Sequence, residues 1–155
     1  MLNKIILASK SKVRKEILDK HKILCEVKPS NVDEDIVKEA LIKESASPEI
    51  ISKNLAELKA NKMSVKETDR LVLGADSVID LNGELISKPE SREEALEILK
   101  KLNGKKHNLI SSVCISKNGS MIWNYTDKAQ LTMKSFLEQD LKIYLSKISD
   151  EALYA

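Results

Sequence analysis

Apolar positions recur along this chain with two periods, and the switches between them divide it into alternating strands and helices. The short run from Lys4 to Ala8 reads as a buried strand. Past Ser9-Lys10-Ser11, helical spacing predicts a helix over Val13 to Lys20 with Ile17 and Leu18 facing inward. Ile23 to Val27 reads as a second strand that ends before Pro29. Asp33-Glu34-Asp35 place acids in the first turn of a helix through Lys43, where the helix dipole favours them. Ser47-Pro48-Glu49 opens another helix, with Ser as the cap and Pro at the first position. That helix runs to about Met63, with Ile51, Leu55 and Leu58 spaced for one face. Leu71 to Ile79 is strand-like. It is followed by the hairpin turn Asn82-Gly83 and a return strand, Glu84 to Ser87. Ser91-Arg92-Glu93-Glu94 is a capping box. The helix it opens carries Leu96, Leu99 and Leu102 on one face and stops at Asn103-Gly104. Asn108 to Ile115 and Met121 to Thr132 read as antiparallel strands joined at Asn118-Gly119, and a last helix spans Leu137 to Ile148. Strands alternating with helices predict an α/β sheet protein.

Composition narrows the reading. A chain of 155 residues suggests one domain, residues 1–155. The formal net charge of +2 is too small to demand nucleic acid, and the few aromatics leave no platform for stacking bases. Cys25 and Cys114 stand far apart without a paired motif, which predicts reduced thiols and a cytoplasmic location. The run Ile5 to Ala8 is too short for a signal-peptide core, and no apolar run has membrane-spanning length.

Several residues carry candidate chemistry. Leu71-Val72-Leu73-Gly74-Ala75-Asp76-Ser77 delivers a carboxylate to the end of a buried strand, where it needs a partner, a hydrogen bond or a metal. The hairpin returns Lys88 toward the same end, so an acid and a base share one mouth of the sheet. That layout suits a metal and a phosphate better than a packing core. Ser9, Ser11 and Arg14 lie at a strand-to-helix junction, where hydroxyls, backbone N–H groups and a guanidinium suit an oxyanion. On spacing alone, a plain Ser cap with a solvated basic face explains them as well or better. Asp33 and Glu34 are either hard-metal ligands or a general base, or else simple first-turn charges. Lys59 either reaches a phosphate or snorkels to the surface. His107 either contacts a base or phosphate or packs at a strand start. Met133, Lys134 and Trp123 read as residues of a half-buried sheet with no chemistry.

The order of these motifs resembles the Maf family of nucleoside triphosphate pyrophosphatases. The matching residues are Leu7-Ala8-Ser9-x-Ser11-x-x-Arg14, Asp33-Glu34, Leu58-Lys59-Ala60, Gly74-Ala75-Asp76-Ser77 and Lys88-Pro89. Glu94-Ala95 and Leu102-Asn103-Gly104-x-x-His107 complete the series, which covers essentially the whole chain. The resemblance implies a mixed twisted sheet with flanking helices, similar to inosine triphosphate pyrophosphatases, forming two lobes around a cleft in a protein that is often a homodimer. It implies cleavage of a nucleoside triphosphate to a monophosphate and pyrophosphate with Mg²⁺ or Mn²⁺, in a role such as cleaning the nucleotide pool. By position, Ser9, Ser11, Arg14, Lys59, Lys88 and His107 bind substrate, Glu34 and Asp76 hold the metal, and Asp76 is the catalytic carboxylate. Nucleic acid and membrane are not expected partners.

Three positions depart from the family pattern: Val13 stands where a second arginine is common, Ser77 where Thr or Gln is usual, and Asn103 where Ser is usual. Family members also continue beyond the position of Ala155 into a further strand and helix. The expectation is therefore a chain that lacks this segment, with a bared sheet edge and weakened stability and turnover. The competing expectation is a non-catalytic nucleotide-binding regulator, for example of cell division.

Overall fold

The computed structural model describes residues 4–155. In chain order the elements are β1 (Ile5–Leu7), α1 (Lys12–Lys20), β2 (Cys25–Val27), α2 (Glu34–Lys43), α3 (Pro48–Lys66) and β3 (Val72–Leu81). They continue with β4 (Glu84–Ile86), α4 (Arg92–Leu102), β5 (Lys106–Lys117), β6 (Ser120–Thr132), α5 (Glu138–Lys147) and α6 (Asp150–Leu153). The strands form one sheet in the order β2-β1-β3-β5-β6, and β4 pairs with β3 off that path. β1 runs parallel to β2 and to β3, whereas β4 is antiparallel to β3. The mixed α/β sheet with helices is the expected architecture. The short helix α6 was not foreseen, and β5 extends past both of its expected ends.

The chain divides into two compact units. One holds the chain up to Ser77 together with Ile110–Asp127; the other holds Val78–Leu109 and Lys128–Ala155.

In the first unit α3 is the central helix. Ser47 caps it, accepting from the Ile50 amide, and Pro48 begins it. Its buried stripe is Pro48, Ile51, Ser52, Leu55, Ala56, Lys59, Ala60, Met63 and Ser64, the spacing of one helix face. Leu58 is not on it. One residue before Lys59, it points about 100° away and is 37% exposed. The buried place expected for Leu58 belongs to Lys59. Ile17 is likewise not inward: it is 53% exposed, whereas the neighbouring Leu18 is half-buried. Ile6, Ala8, Met63 and Val72 pack as one cluster, and Ala56, Ala60 and Cys114 as another.

Gly74 governs the contact between α3 and β3. A Cβ there would lie 2.3 Å from the Ala56 carbonyl oxygen and 2.7 Å from the Ala60 nitrogen. Those are backbone atoms, so no side-chain rotation relieves the clash. Only glycine allows this helix to lie so close on this strand.

In the second unit Leu81, Ile86 and Leu102 form the core, with Ile79, Ile98 and Met133 against them. Asn82 and Gly83 both take positive φ, as the two-residue turn between β3 and β4 requires. The Arg92 guanidinium donates to the carbonyls of Leu145 and Ile148 at 2.7 and 2.8 Å and to Asp150 at 2.7 Å. It thereby satisfies open carbonyls at the end of α5.

β6 is the last strand of the sheet path and is exposed along nearly all of its length. Trp123, expected in a half-buried sheet, is 49% exposed and stacks on Tyr125 with ring centroids 6.4 Å apart.

Gly74→Ala is expected to destabilise the protein by about 1–3 kcal/mol, the usual cost of overpacking. Denaturant unfolding measures this, and an unchanged midpoint would show that α3 does not need the bare backbone of β3.

Candidate active site

β1 feeds directly into a loop whose polar groups converge. Ser9 is buried, and its Oγ accepts from the Ser11 amide at 3.2 Å and from Arg14 Nη1 at 3.0 Å. Ser11 Oγ accepts from the Arg14 amide at 3.3 Å and so caps α1. The junction lies at the carboxyl end of a parallel strand, where open α/β sheets bind ligands. Ser9, Ser11 and Arg14 are thus one connected group rather than three separate surface residues.

Asp76 lies in the middle of β3, not at its end. The end that matters belongs to the parallel ladder: β1 and β3 stop pairing at Leu7 and Leu73, and β3 runs on to Leu81. Asp76 therefore sits just past the carboxyl edge of that ladder, on the same side as the loop after β1. It is 5% exposed. Ser52 on α3 fixes its backbone by donating to its carbonyl at 3.2 Å.

Lys59 comes to Asp76 from α3. It is no snorkelling surface lysine, being only 6% exposed. Its Nζ lies 3.0 Å from Asp76 Oδ1, 2.7 Å from Glu34 Oε1 and 3.3 Å from the Ala75 carbonyl. Glu34 is the first residue of α2. Asp33, just before it, is the cap of that helix and accepts from the Ile36 amide at 3.2 Å. The capping bond separates the two acids that the sequence left together: Asp33 holds the helix, and Glu34 faces Lys59. Lys38, one turn further along α2, lies 3.8 Å from Glu34.

The electrostatics follow from this packing. Burial raises the Asp76 carboxyl above its ordinary range, and Lys59 only partly opposes the shift. Burial lowers the Arg14 guanidinium, while the fields of Asp76 and Glu34 pull it back up. Arg14 therefore senses both carboxylates.

Asp76 Oδ2 is buried and has no hydrogen-bond partner. A buried carboxylate oxygen without a partner is costly, and it marks room for a further donor or a cation. Among the described residues no group of three or more His, Cys, Asp or Glu could hold a metal ion. Glu34 and Asp76 alone still fit a hard divalent ion of the Mg²⁺ type, which commonly takes one or two carboxylates and completes its shell with water and phosphate oxygens.

The remaining two expected residues lie in the second unit. Lys88 is exposed and follows β4, whose Ile86 pairs with Ile79. His107 is half-buried near the start of β5, and its Nδ1 is buried without a partner. Lys38, Ser52 and Gly74 were missed as site-building residues. The first two leave no signal in the sequence, whereas Gly74 stood inside the singled-out Gly-Ala-Asp run.

A mixed α/β sheet with an anion-suited loop after β1 and a buried acid on β3 defines the class. The Ham1 protein of Staphylococcus aureus shares the fold, with a TM-score of 0.50 at 18% identity over 84% of this chain and 70% of that one. The chain belongs to the Maf-like protein family, whose match extends over residues 4–153. It is 68% identical to a nucleoside triphosphate pyrophosphatase of Pelagibacter ubique, over 100% of this chain and 80% of that protein. It is 31% identical to a 7-methyl-GTP pyrophosphatase of Rhizobium etli, over 99% of this chain and 77% of that protein.

The raised Asp76 carboxyl means that the folded state binds its proton more tightly than the unfolded state. In chelator-treated protein, stability is expected to fall as pH rises from the ordinary carboxylate range through the higher native value. Asp76→Asn should flatten this slope. Thermal melts across pH measure both proteins, and parallel slopes would contradict the assignment.

Proposed function

We propose that this chain is a nucleoside triphosphate pyrophosphatase, a hydrolase acting on an acid anhydride. It adds water across the bond between the α- and β-phosphates and releases a nucleoside monophosphate and pyrophosphate. The observation that carries this reading is buried Asp76, with one oxygen unpartnered and the other sharing Lys59 with Glu34, in the field of Arg14. The enzyme names of its relatives in two species support it.

Phosphoryl chemistry is mostly positioning and charge stabilisation. Ser9 Oγ holds the Arg14 guanidinium at the start of α1. There the guanidinium and the helix amides meet phosphate oxygens with fixed donors. Lys59 adds a second cationic group from α3. Glu34 and Asp76 would hold a divalent ion, Mg²⁺ or Mn²⁺, which would supply charge neutralisation for the phosphate oxygens. Asp76 Oδ2 is the atom available to orient the attacking water or take its proton. Ser11 holds the loop geometry through its cap. Lys88 and His107 are assigned to substrate on the family resemblance alone. The donors in the first unit address phosphates rather than a base, so a role in clearing non-standard or surplus triphosphates fits them.

A cytoplasmic location and a homodimer belong to the same proposal. Cys25 and Cys114 are free thiols, and among the described residues no helix is long and apolar enough to cross a membrane. The non-catalytic regulator is the less favoured reading, because a binding pocket alone needs no acid buried beside its cations. Pyrophosphate release over a panel of canonical and modified triphosphates decides between the two.

Asp76→Asn is expected to keep the fold and abolish triphosphate hydrolysis; near-native turnover would remove Asp76 from the mechanism. Arg14→Ala is expected to weaken all triphosphates alike, by about 1.5–3 kcal/mol for a lost charged hydrogen bond. Calorimetric titration with non-hydrolysable analogues checks it. A loss confined to one base would make Arg14 a base reader.

A further inference from the structure

Two carboxylates held close together repel each other unless a cation lies between them. Here the cation is the chain's own. Lys59 Nζ contacts Glu34 Oε1 at 2.7 Å, Asp76 Oδ1 at 3.0 Å and the Ala75 carbonyl at 3.3 Å. The contacts to Asp76 and Ala75 are hydrogen bonds and the contact to Glu34 is an ion pair, so the ammonium is held among all three. Asp76 is 5% exposed, and its Oδ2 is buried without a partner. Lys38 stands 3.8 Å from Glu34, and the charge of Arg14 acts on both acids. Lys59, Lys38 and Arg14 thus already outweigh Glu34 and Asp76 in charge. A divalent ion added by itself increases that excess. A polyphosphate arriving with it removes the excess.

We infer that Lys59 is a tethered occupant of the cation position between Glu34 and Asp76. A divalent ion takes that position by displacing the ammonium, and the displaced ammonium becomes a donor for the polyphosphate. Lys59 is then the positioning residue that couples metal entry to substrate arrival. It disfavours metal alone and favours metal with triphosphate. This inference rests on Glu34 and Asp76 being the metal-holding pair.

The test uses the whole chain and Mn²⁺, with free ion counted by electron paramagnetic resonance, in the presence and absence of an α,β-methylene triphosphate analogue. Lys59→Met is expected to bind Mn²⁺ alone about tenfold or more tighter than the unaltered protein, since a competing charge is gone. The analogue should strengthen Mn²⁺ binding to the unaltered protein and do so much less in the variant. Equal or weaker Mn²⁺ binding by a folded Lys59→Met protein would overturn the inference while leaving the metal-holding pair intact. Absence of Mn²⁺ binding in both proteins, with or without analogue, would overturn the pair and the inference together. If Lys59→Met does not fold, acetylation of the unaltered protein answers instead. Mn²⁺ should raise labelling of Lys59 relative to exposed Lys66, as read by mass spectrometry. A static salt bridge predicts unchanged labelling, and that result would overturn the inference.

Discussion

The close contact between α3 and β3 at Gly74 sets the reach of Lys59, and through it the arrangement of the acids. With no side chain between helix and strand, a lysine on the buried stripe of α3 can place its ammonium against Asp76 and still meet Glu34 from α2. Segments distant in the chain are tied at one charged point, and Ser52 repeats the tie from the same helix. A buried ion group of this kind is seldom a net source of stability, because taking charges out of water costs about as much as their attraction returns. Its presence beside the close contact of α3 and β3 is better explained by what the charges do than by what they hold together.

That placement creates a conflict between stability and chemistry. Burial opposes ionisation of Asp76, yet the role proposed for it needs the ionised form. The site is therefore strained electrostatically rather than sterically. Functional sites are where such strain is expected to collect. The loop after β1 is different. Its serines and arginine hold one another through local hydrogen bonds, so its geometry is preformed within one stretch of chain.

Most of the fold was legible because its signals are local. Caps at Ser47 and Ser91, glycine turns at Asn82-Gly83 and Asn118-Gly119, and apolar periods fixed the elements to within a few residues. What was not legible depends on partners distant in sequence. Leu58 and Lys59 differ by one position, and only the docking of α3 on β3 decides which is buried. Asp33 and Glu34 look equivalent until the cap is drawn. Asp76 reads as a strand end because the polar residues begin there, but the strand continues and its neighbour β1 stops instead. Trp123 was misplaced for a related reason: alternation marks a strand without saying whether either of its faces is covered.

Trp123 is also the only tryptophan in the chain, and its exposed ring lies on β6 against Tyr125. The Glu34–Lys59–Asp76 cluster is built from α2, α3 and β3 instead. The intrinsic fluorescence of this protein is therefore a reporter of that outermost strand. Its emission would move to shorter wavelength when anything covers β6, whether or not a nucleotide has met Glu34 and Asp76.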